Sequence, residues 1–381
     1  MKKYIKYIMF DYPYVSLKIR YITKKIFLYI KYYKRRTREF LLKISRKLYI
    51  NKPKVLQFPI TYKCNFDCVM CGMQKMAKEK DIDIHDIEEI LSNKLFNQIR
   101  SVGLNGGEPF IVQNLEDYVK ILIKKLPKLK YIYLITNGYL TDRILTKLRI
   151  IKSECKKHNI RLTVSVSLDG IGKTHDIMRG RSNIFNNVEN TCITIKNNQK
   201  EFCDDFGVIC TITKHNIINI NEVDYWATKN NVNIAYNIAT IHKRLFNEDR
   251  YEDFSVLTDD YYKLLTIEWF YYKFKQTNSE QYYNLYRYLL DNKRIAKCDY
   301  QNDGITILPN GDLSFCATQS KIIGNALSEP ANLLFKNNIL YRKQLMENKC
   351  AECSHYSGTV SINKYEEYIR ELLQAYNYRL R

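Results

Sequence analysis

Six short runs of apolar and β-branched residues recur through the middle of the chain: KVLQFPIT (54–61), IRSVGLN (99–105), LKYIYLIT (129–136), RLTVSVSL (161–168), FGVICTIT (206–213) and VNIAYNIA (232–239). Between them apolar residues return at helical spacing, as at Ile87, Ile90, Leu91 and Leu95, or at Leu115, Tyr118, Val119 and Leu122. Asn114 and Thr141 stand where helix starts belong, and Pro127 ends the helix that Asn114 opens. Strand and helix alternating without a break predict parallel strands joined by right-handed crossovers. The near-continuous apolar character of the strands predicts a buried sheet with helices packed over it. Six units are too few to close an eight-stranded barrel. The predicted fold class is therefore α/β, a partial (β/α)6 TIM-like barrel over residues 54–240.

The flanks differ in texture. Within residues 1–53, Ile19, Ile22, Ile26, Ile30 and Tyr33 recur at helical spacing among Lys18, Arg20, Lys24, Lys25, Lys31 and Lys34. Residues 1–54 hold 17 Lys and Arg against Asp11 and Glu39, a net +15 of the chain's +21. The basic character thus belongs to a helical N-terminal extension and not to the body. Its uncharged stretches fall short of the about 20 apolar residues that cross a bilayer. Two arrangements stay open: a helix lying on anionic lipid, and a helix packing its Ile stripe onto the body with Lys turned to water. No reading module accompanies the charge, so no specific nucleic acid is expected as a partner. After the barrel, the expected divisions are a helical bridge (241–292), whose Tyr-rich segment 251–290 either lids the site or forms packed helices, a small Cys-rich domain (293–360) and a C-terminal helix (361–381).

With 381 residues, 45% of them hydrophobic, the chain can bury a sizeable core. It has eleven cysteines, and its opening residues carry no secretory-type apolar run or cleavage site. Reduced thiols in the cytoplasm are expected, with metal binding as the leading use of clustered Cys. In TYKCNFDCVMCGMQK (61–75), Cys64, Cys68 and Cys71 follow the first strand directly. Their spacing would also suit one helix face, but Asn65, Asp67 and Gly72 are poor residues for a helix interior. Three thiolates fall short of the four ligands a zinc or simple iron–sulfur site takes. Either a fourth ligand comes from elsewhere or one position is left open. NGGEP (105–109), TNG (136–138) and SLDG (167–170) close the next three strands, on the rim where such folds place their chemistry.

CNFDCVMC followed by GGEP resembles the radical S-adenosylmethionine (SAM) superfamily, marked by Cys-x3-Cys-x2-Cys after the first strand of a partial barrel. The resemblance covers residues 54–240. It implies that Cys64, Cys68 and Cys71 ligate three irons of a [4Fe-4S] cluster, the fourth iron being chelated by the SAM amino and carboxylate groups. It also places Gly106, Gly107 and Glu108 at the SAM ammonium, and Ser167 and Asp169 near the ribose hydroxyls. Arg179, in THDIMRG, would pair with the SAM carboxylate, with His175 either near the site or in a capping or surface role. The residue before the third cysteine is often aromatic in the superfamily and is Met70 here. The implied activity is reductive cleavage of SAM to methionine and a 5′-deoxyadenosyl radical, which takes hydrogen from a substrate.

Four more cysteines gather towards the C-terminus: Cys298, Cys316, Cys350 and Cys353. LPNGDL (308–313) reads as a hairpin turn that would bring Cys298 and Cys316 together at its base. Taken alone, the set suits zinc. Its spacing resembles the auxiliary-cluster region of radical SAM enzymes known as SPASM or, when shortened, twitch domains. No cysteine follows Cys353, which matches the shortened form with one auxiliary [4Fe-4S] cluster held by all four thiolates. Cys155, Cys192, Cys203 and Cys210 are expected to be packing residues.

The expected function is oxidation, specifically dehydrogenation, of a small polyol, an amino sugar or a glycan-linked molecule, with flavodoxin or ferredoxin as electron donor. One alternative is a ribosomal-peptide maturase that crosslinks or modifies side chains. Another, of a different class, is a non-catalytic zinc-binding adaptor. The expected location is cytoplasmic, with contact at the inner face of the membrane through residues 1–53 left open.

Overall fold

The computed structural model describes residues 13–48, 52–355 and 358–380. The rest of the expected N-terminal extension, residues 1–12 and 49–51, lies outside them. The chain divides into two compact units. One comprises Lys52–Thr266 and Cys298–His355. The other joins the described parts of Met1–Asn51, Ile267–Lys297 and Tyr356–Arg381.

The larger unit is built on β1 (Val55–Pro59), β2 (Ser101–Asn105), β3 (Tyr131–Thr136), β4 (Arg161–Ser167), β5 (Asp205–Ile212) and β6 (Asn233–Ile238), paired in parallel in sequence order. The expected parallel arc is present. Helices follow the strands, including α2 (Ile84–Leu91), α3 (Leu115–Lys125), α4 (Thr141–Lys157), α5 (Lys173–Arg179), α6 (Phe185–Asn197) and α7 (Ile220–Lys229), in the smaller unit preceded by α1 (Pro13–Leu48). Asp83 caps α2 by accepting from the His85 N–H at 2.8 Å. The Asn114 side chain makes no cap hydrogen bond, although α3 begins at the next residue.

Burial on the strands alternates. On β4, Leu162, Val164 and Val166 are buried, while Thr163, Ser165 and Ser167 are half-buried. One sheet face is thus fully covered and the other is not. The apolar runs alone suggested deeper burial. An arc that does not close leaves polar residues room on its second face.

The Cys-rich region adds to this same sheet. β7 (Gly304–Ile307) pairs in parallel with β1, and β8 (Asp312–Ser314) and β9 (Ile322–Asn325) continue antiparallel, giving the order β6-β5-β4-β3-β2-β1-β7-β8-β9. The expected hairpin turn is present: Gly311 takes φ +87°, and the Leu308 N–H donates to the Asp312 carbonyl at 2.8 Å.

In the smaller unit, α1 packs with α12 (Tyr365–Leu380); α8 (Asp260–Thr277) and α9 (Glu280–Asp291) precede α12 in the chain, as do α10 (Ala331–Asn337) and α11 (Ile339–Asn348) of the larger unit. The packed face of α1 is Leu28, Tyr32, Arg35 and Glu39, not the Ile stripe. Tyr32 stacks on Tyr365 with ring centroids 6.0 Å apart, and Arg35 pairs with Glu280 at 3.0 Å. Glu280 also accepts from Lys31 at 3.2 Å and from the Val360 N–H at 3.0 Å. Ile19, Ile22, Ile26, Ile30 and Tyr33 are all exposed. The Tyr-rich helices are packed, with Phe270, Phe274 and Tyr283 buried.

Candidate active site

Cys64, Cys68 and Cys71 lie in a non-helical loop directly after β1. A helix stripe is therefore excluded. The three thiols share one apolar cluster with Phe66, Met70, Met178, Ile184, Ala239 and Phe254. Met70, where an aromatic residue is usual, fills part of that cluster.

The loop is strapped from several sides. The Asn137 amide, just after β3, donates to Asn65 Oδ1 at 2.8 Å. The Val69 N–H donates to the Met178 carbonyl at 3.1 Å, and the Gly72 N–H to the Leu245 carbonyl at 2.7 Å. Asn247 Nδ2 donates to the Met70 carbonyl at 2.8 Å and to the Thr240 carbonyl at 3.0 Å. Arg250 Nη1 reaches Asp67 Oδ1 at 2.9 Å and the Cys71 carbonyl at 3.1 Å.

Gly106 and Gly107 have a structural reason to be glycine. A Cβ on Gly107 would sit 1.9 Å from the Lys63 carbonyl oxygen, and one on Gly106, at φ +143°, 2.6 Å from that of Thr61. The Gly107 and Glu108 N–H groups donate to those same carbonyls at 2.8 and 2.9 Å. The motif therefore lies directly against the arm leading into Cys64. Glu108 is buried, and its carboxylate accepts from the Phe110 N–H (3.1 Å), Thr136 Oγ1 (2.8 Å) and the Asn137 N–H (2.7 Å). It ties the end of β2 to the end of β3, and burial pushes its pKa up to about 7 against those hydrogen bonds.

Asp169 and Arg179 come together as a buried ion pair at 2.6 Å. Asp169 Oδ1 also accepts from the Thr211 N–H at 2.7 Å. The side chain is wholly buried and holds Arg179. Arg179 Nη1 in turn donates to Cys68 Sγ at 3.5 Å. Ser167 ends β4 half-buried. His175 is buried and accepts from the Asp169 N–H through Nδ1 at 3.2 Å. Its neighbour Asp176 accepts from the Asn183, Ile184 and Phe185 N–H groups at the start of α6.

Six of the seven expected ligand thiols are half-buried, Cys68 being the exception, whereas Cys155, Cys192, Cys203 and Cys210 are fully enclosed. The Tyr300 phenol lies within electrostatic reach of both Cys298 and Cys316. Among the described residues no three His, Cys, Asp or Glu side chains converge as tightly as a metal ion needs. The donor chemistry nonetheless fits iron–sulfur ligation, with soft thiols grouped in one loop and accessible on one side. Burial pushes Cys64 up to about 12 and Cys71 up to about 11, and it raises Cys68 despite Arg179. Burial thus disfavours the free thiolates, which a bound metal would stabilise.

The segment after β6 carries functional contacts that no motif announced. The Lys243 and Arg244 N–H groups donate to the Thr318 and Ala317 carbonyls, each at 3.1 Å, beside Cys316. His242 Nε2 lies 3.1 Å from Thr318 Oγ1, and its ring meets that of His355 edge-on at 5.4 Å. The same segment straps the first cysteine loop through Leu245, Asn247 and Arg250, so it touches both cysteine regions.

A thiol-bearing loop after the first strand of a parallel arc, braced by Gly-Gly-Glu, defines a radical SAM enzyme. Residues 58–223 match the family model of the Radical SAM superfamily, so the chain carries a radical SAM domain. It accordingly uses a [4Fe-4S] cluster and SAM. Among curated proteins it is similar to the radical SAM cyclopropyl synthase TigE of Paramaledivibacter caminithermalis, 26% identical over 339 residues, covering 80% of this chain and 67% of TigE. Its fold is similar to that of Streptococcus suis SuiB bound to the precursor peptide SuiA, with TM-score 0.52, 14% identity, and 81% of this chain and 70% of that chain covered. It is likewise similar to anSMEcpe with bound AdoMet and the Cp18Cys peptide, with TM-score 0.54, 17% identity, and 86% and 98% covered. The shared fold extends well beyond the barrel.

Proposed function

We propose that the protein oxidises or crosslinks a peptide by radical SAM chemistry, with Cys64, Cys68 and Cys71 holding the SAM-binding cluster and Cys298, Cys316, Cys350 and Cys353 one auxiliary [4Fe-4S] cluster. The observation that carries this is the three-thiol loop, strapped at the end of β1 with Arg179 against Cys68. The peptide as substrate class is supported by SuiB and anSMEcpe, both solved with peptides bound. The expected polyol or sugar substrate finds no support among these likenesses.

When bound and reduced by a flavodoxin or ferredoxin, the first cluster supplies the electron that splits SAM, and an auxiliary cluster offers an acceptor for the electron a substrate radical gives up. The chain's own residues hold this apparatus in place. Asp169 fixes the Arg179 guanidinium, which is planar and suited to a carboxylate. Glu108 locks the ends of β2 and β3, and the two glycines let the motif backbone meet the cysteine arm. Ser167 stands at the end of β4, where it can meet a SAM hydroxyl.

Anaerobic reconstitution tests the reading. About eight irons per chain are expected from two four-iron clusters. Cys68→Ala should abolish 5′-deoxyadenosine release, whereas Cys350→Ala should leave uncoupled SAM cleavage. Zinc in place of iron, or equal cleavage by both variants and the parent, sinks it.

The exposed stripe of α1 favours a further partner, an anionic membrane surface. Among the described residues no helix is long and apolar enough to cross a membrane. Ile22, Ile26 and Ile30 nevertheless present apolar side chains to solvent between the exposed cations Lys18, Lys25, Lys31 and Lys34. That combination suits a helix lying at a lipid interface.

A further inference from the structure

Four arginines stand around the first cysteine loop. Arg179 has Asp169 at 2.6 Å and Arg250 has Asp67 at 2.9 Å. Arg181, hydrogen-bonded to the Asn65 carbonyl, is exposed to water. Arg244, half-buried, has no carboxylate beside it among the described residues and is only partly open to water. Its side chain makes one hydrogen bond, from Nη1 to Asn105 Oδ1 at 3.0 Å, and no ion pair among the described residues. Its Nε is buried and meets no acceptor. A guanidinium partly drawn out of water, with an enclosed Nε and a single amide oxygen beside it, has donors left over for an anion.

Its position says which anion. The side chain lies within electrostatic reach of Cys71 and of Tyr300, and Tyr300 within reach of Cys298 and Cys316. Asn105, which holds Nη1, immediately precedes Gly106 at the rim. The Arg244 main chain is fixed to Ala317. The guanidinium thus stands between the two cysteine regions, where a substrate must lie to meet the one and give an electron to the other.

We propose that Arg244 receives a carboxylate or phosphate of the substrate, so that the enzyme acts on an anionic substrate held between the first cysteine loop and the Cys298–Cys316 hairpin. The inference rests on the radical SAM reading of the site given above. The planar fork of arginine suits either group, since both accept two parallel N–H bonds.

The test uses the reconstituted full chain and an extract of the native cell, peptides included, split on an anion-exchange resin at neutral pH. The retained fraction, and not the flow-through, should raise 5′-deoxyadenosine release by the parent. Arg244→Gln should need about tenfold more of that fraction for half-maximal effect, with Arg244→Lys recovering part of the loss. Affinity selection with mass spectrometry should show a retained compound captured by the parent and not by Arg244→Gln. Phosphatase treatment of the fraction separates the sources: an abolished effect assigns a phosphate, a surviving one a carboxylate. Stimulation by the flow-through, stimulation by no fraction, or an equal response of Arg244→Gln overturns the proposal. So does a lower iron content in Arg244→Gln, which would make the residue a brace for the loop. The underlying reading is judged separately, on the parent's iron content and its SAM cleavage without extract, so its failure is told apart from that of Arg244.

Discussion

Glu108 shows how one side chain can be both well bonded and under electrostatic stress. Three donors face its carboxylate, yet burial lifts its pKa from an ordinary 4.5 to about 7. Between those values the folded chain keeps a proton that the unfolded chain has already released. Stability therefore falls as pH rises from about 4.5 to about 7, and the loss from this group is complete above that range. Glu108→Gln removes the titration. Urea midpoints measured from pH 5 to 8 should fall for the parent relative to the variant, and parallel curves would show that Glu108 ionises normally. The residues carrying this site were legible to different degrees. The cysteines and Gly-Gly-Glu form local motifs and stand out in the sequence. The pairing of Asp169 with Arg179 did not stand out, because it depends on the helix after β4 folding back over the loop, which no local spacing encodes.

Among the elements, the arm from Thr61 to Lys63 and the Gly-Gly-Glu turn behave as one piece. Gly107→Ala would drive a methyl into the Lys63 carbonyl, and the arm must then move away. We expect reconstituted iron to drop from about eight to about four per chain, the auxiliary set being spared. An unchanged iron content would show that the arm yields without harm. For α1 the informative variant keeps the packed face and alters the exposed one, because deleting the helix would uncover α12. Ile22→Ser, Ile26→Ser and Ile30→Ser together should lower binding to anionic vesicles by about tenfold or more, with SAM cleavage retained. Equal vesicle binding removes the lipid partner. The strands of the barrel were readable almost to the residue because their apolar runs are bounded by turn formers. The packed face of α1 was not. Its Leu28–Tyr32–Arg35–Glu39 row owes its burial to partners such as Glu280 and Tyr365, distant in sequence, and is less apolar than the Ile row. The segment from His242 to Arg250 was equally hidden, since it has no periodicity and its role lies entirely in what it touches.

At the scale of the molecule, β1 is an interior strand with β2 on one side and β7 on the other. The sequence suggested a separate Cys-rich domain because helices intervene between β6 and β7. Only the pairing of Val55 to Gln57 with Gly304 to Thr306 shows the two to be one sheet. The arrangement has a consequence for biosynthesis. While the ribosome has released β1 to β6 but not β7, the strand that ends in the cluster loop stands bare along one flank, open to pairing with a neighbouring nascent copy. A chain stopped at Thr266 should therefore scatter light and pellet where the full-length protein stays dispersed, leaving the newborn enzyme dependent on its last third to arrive before a stranger does.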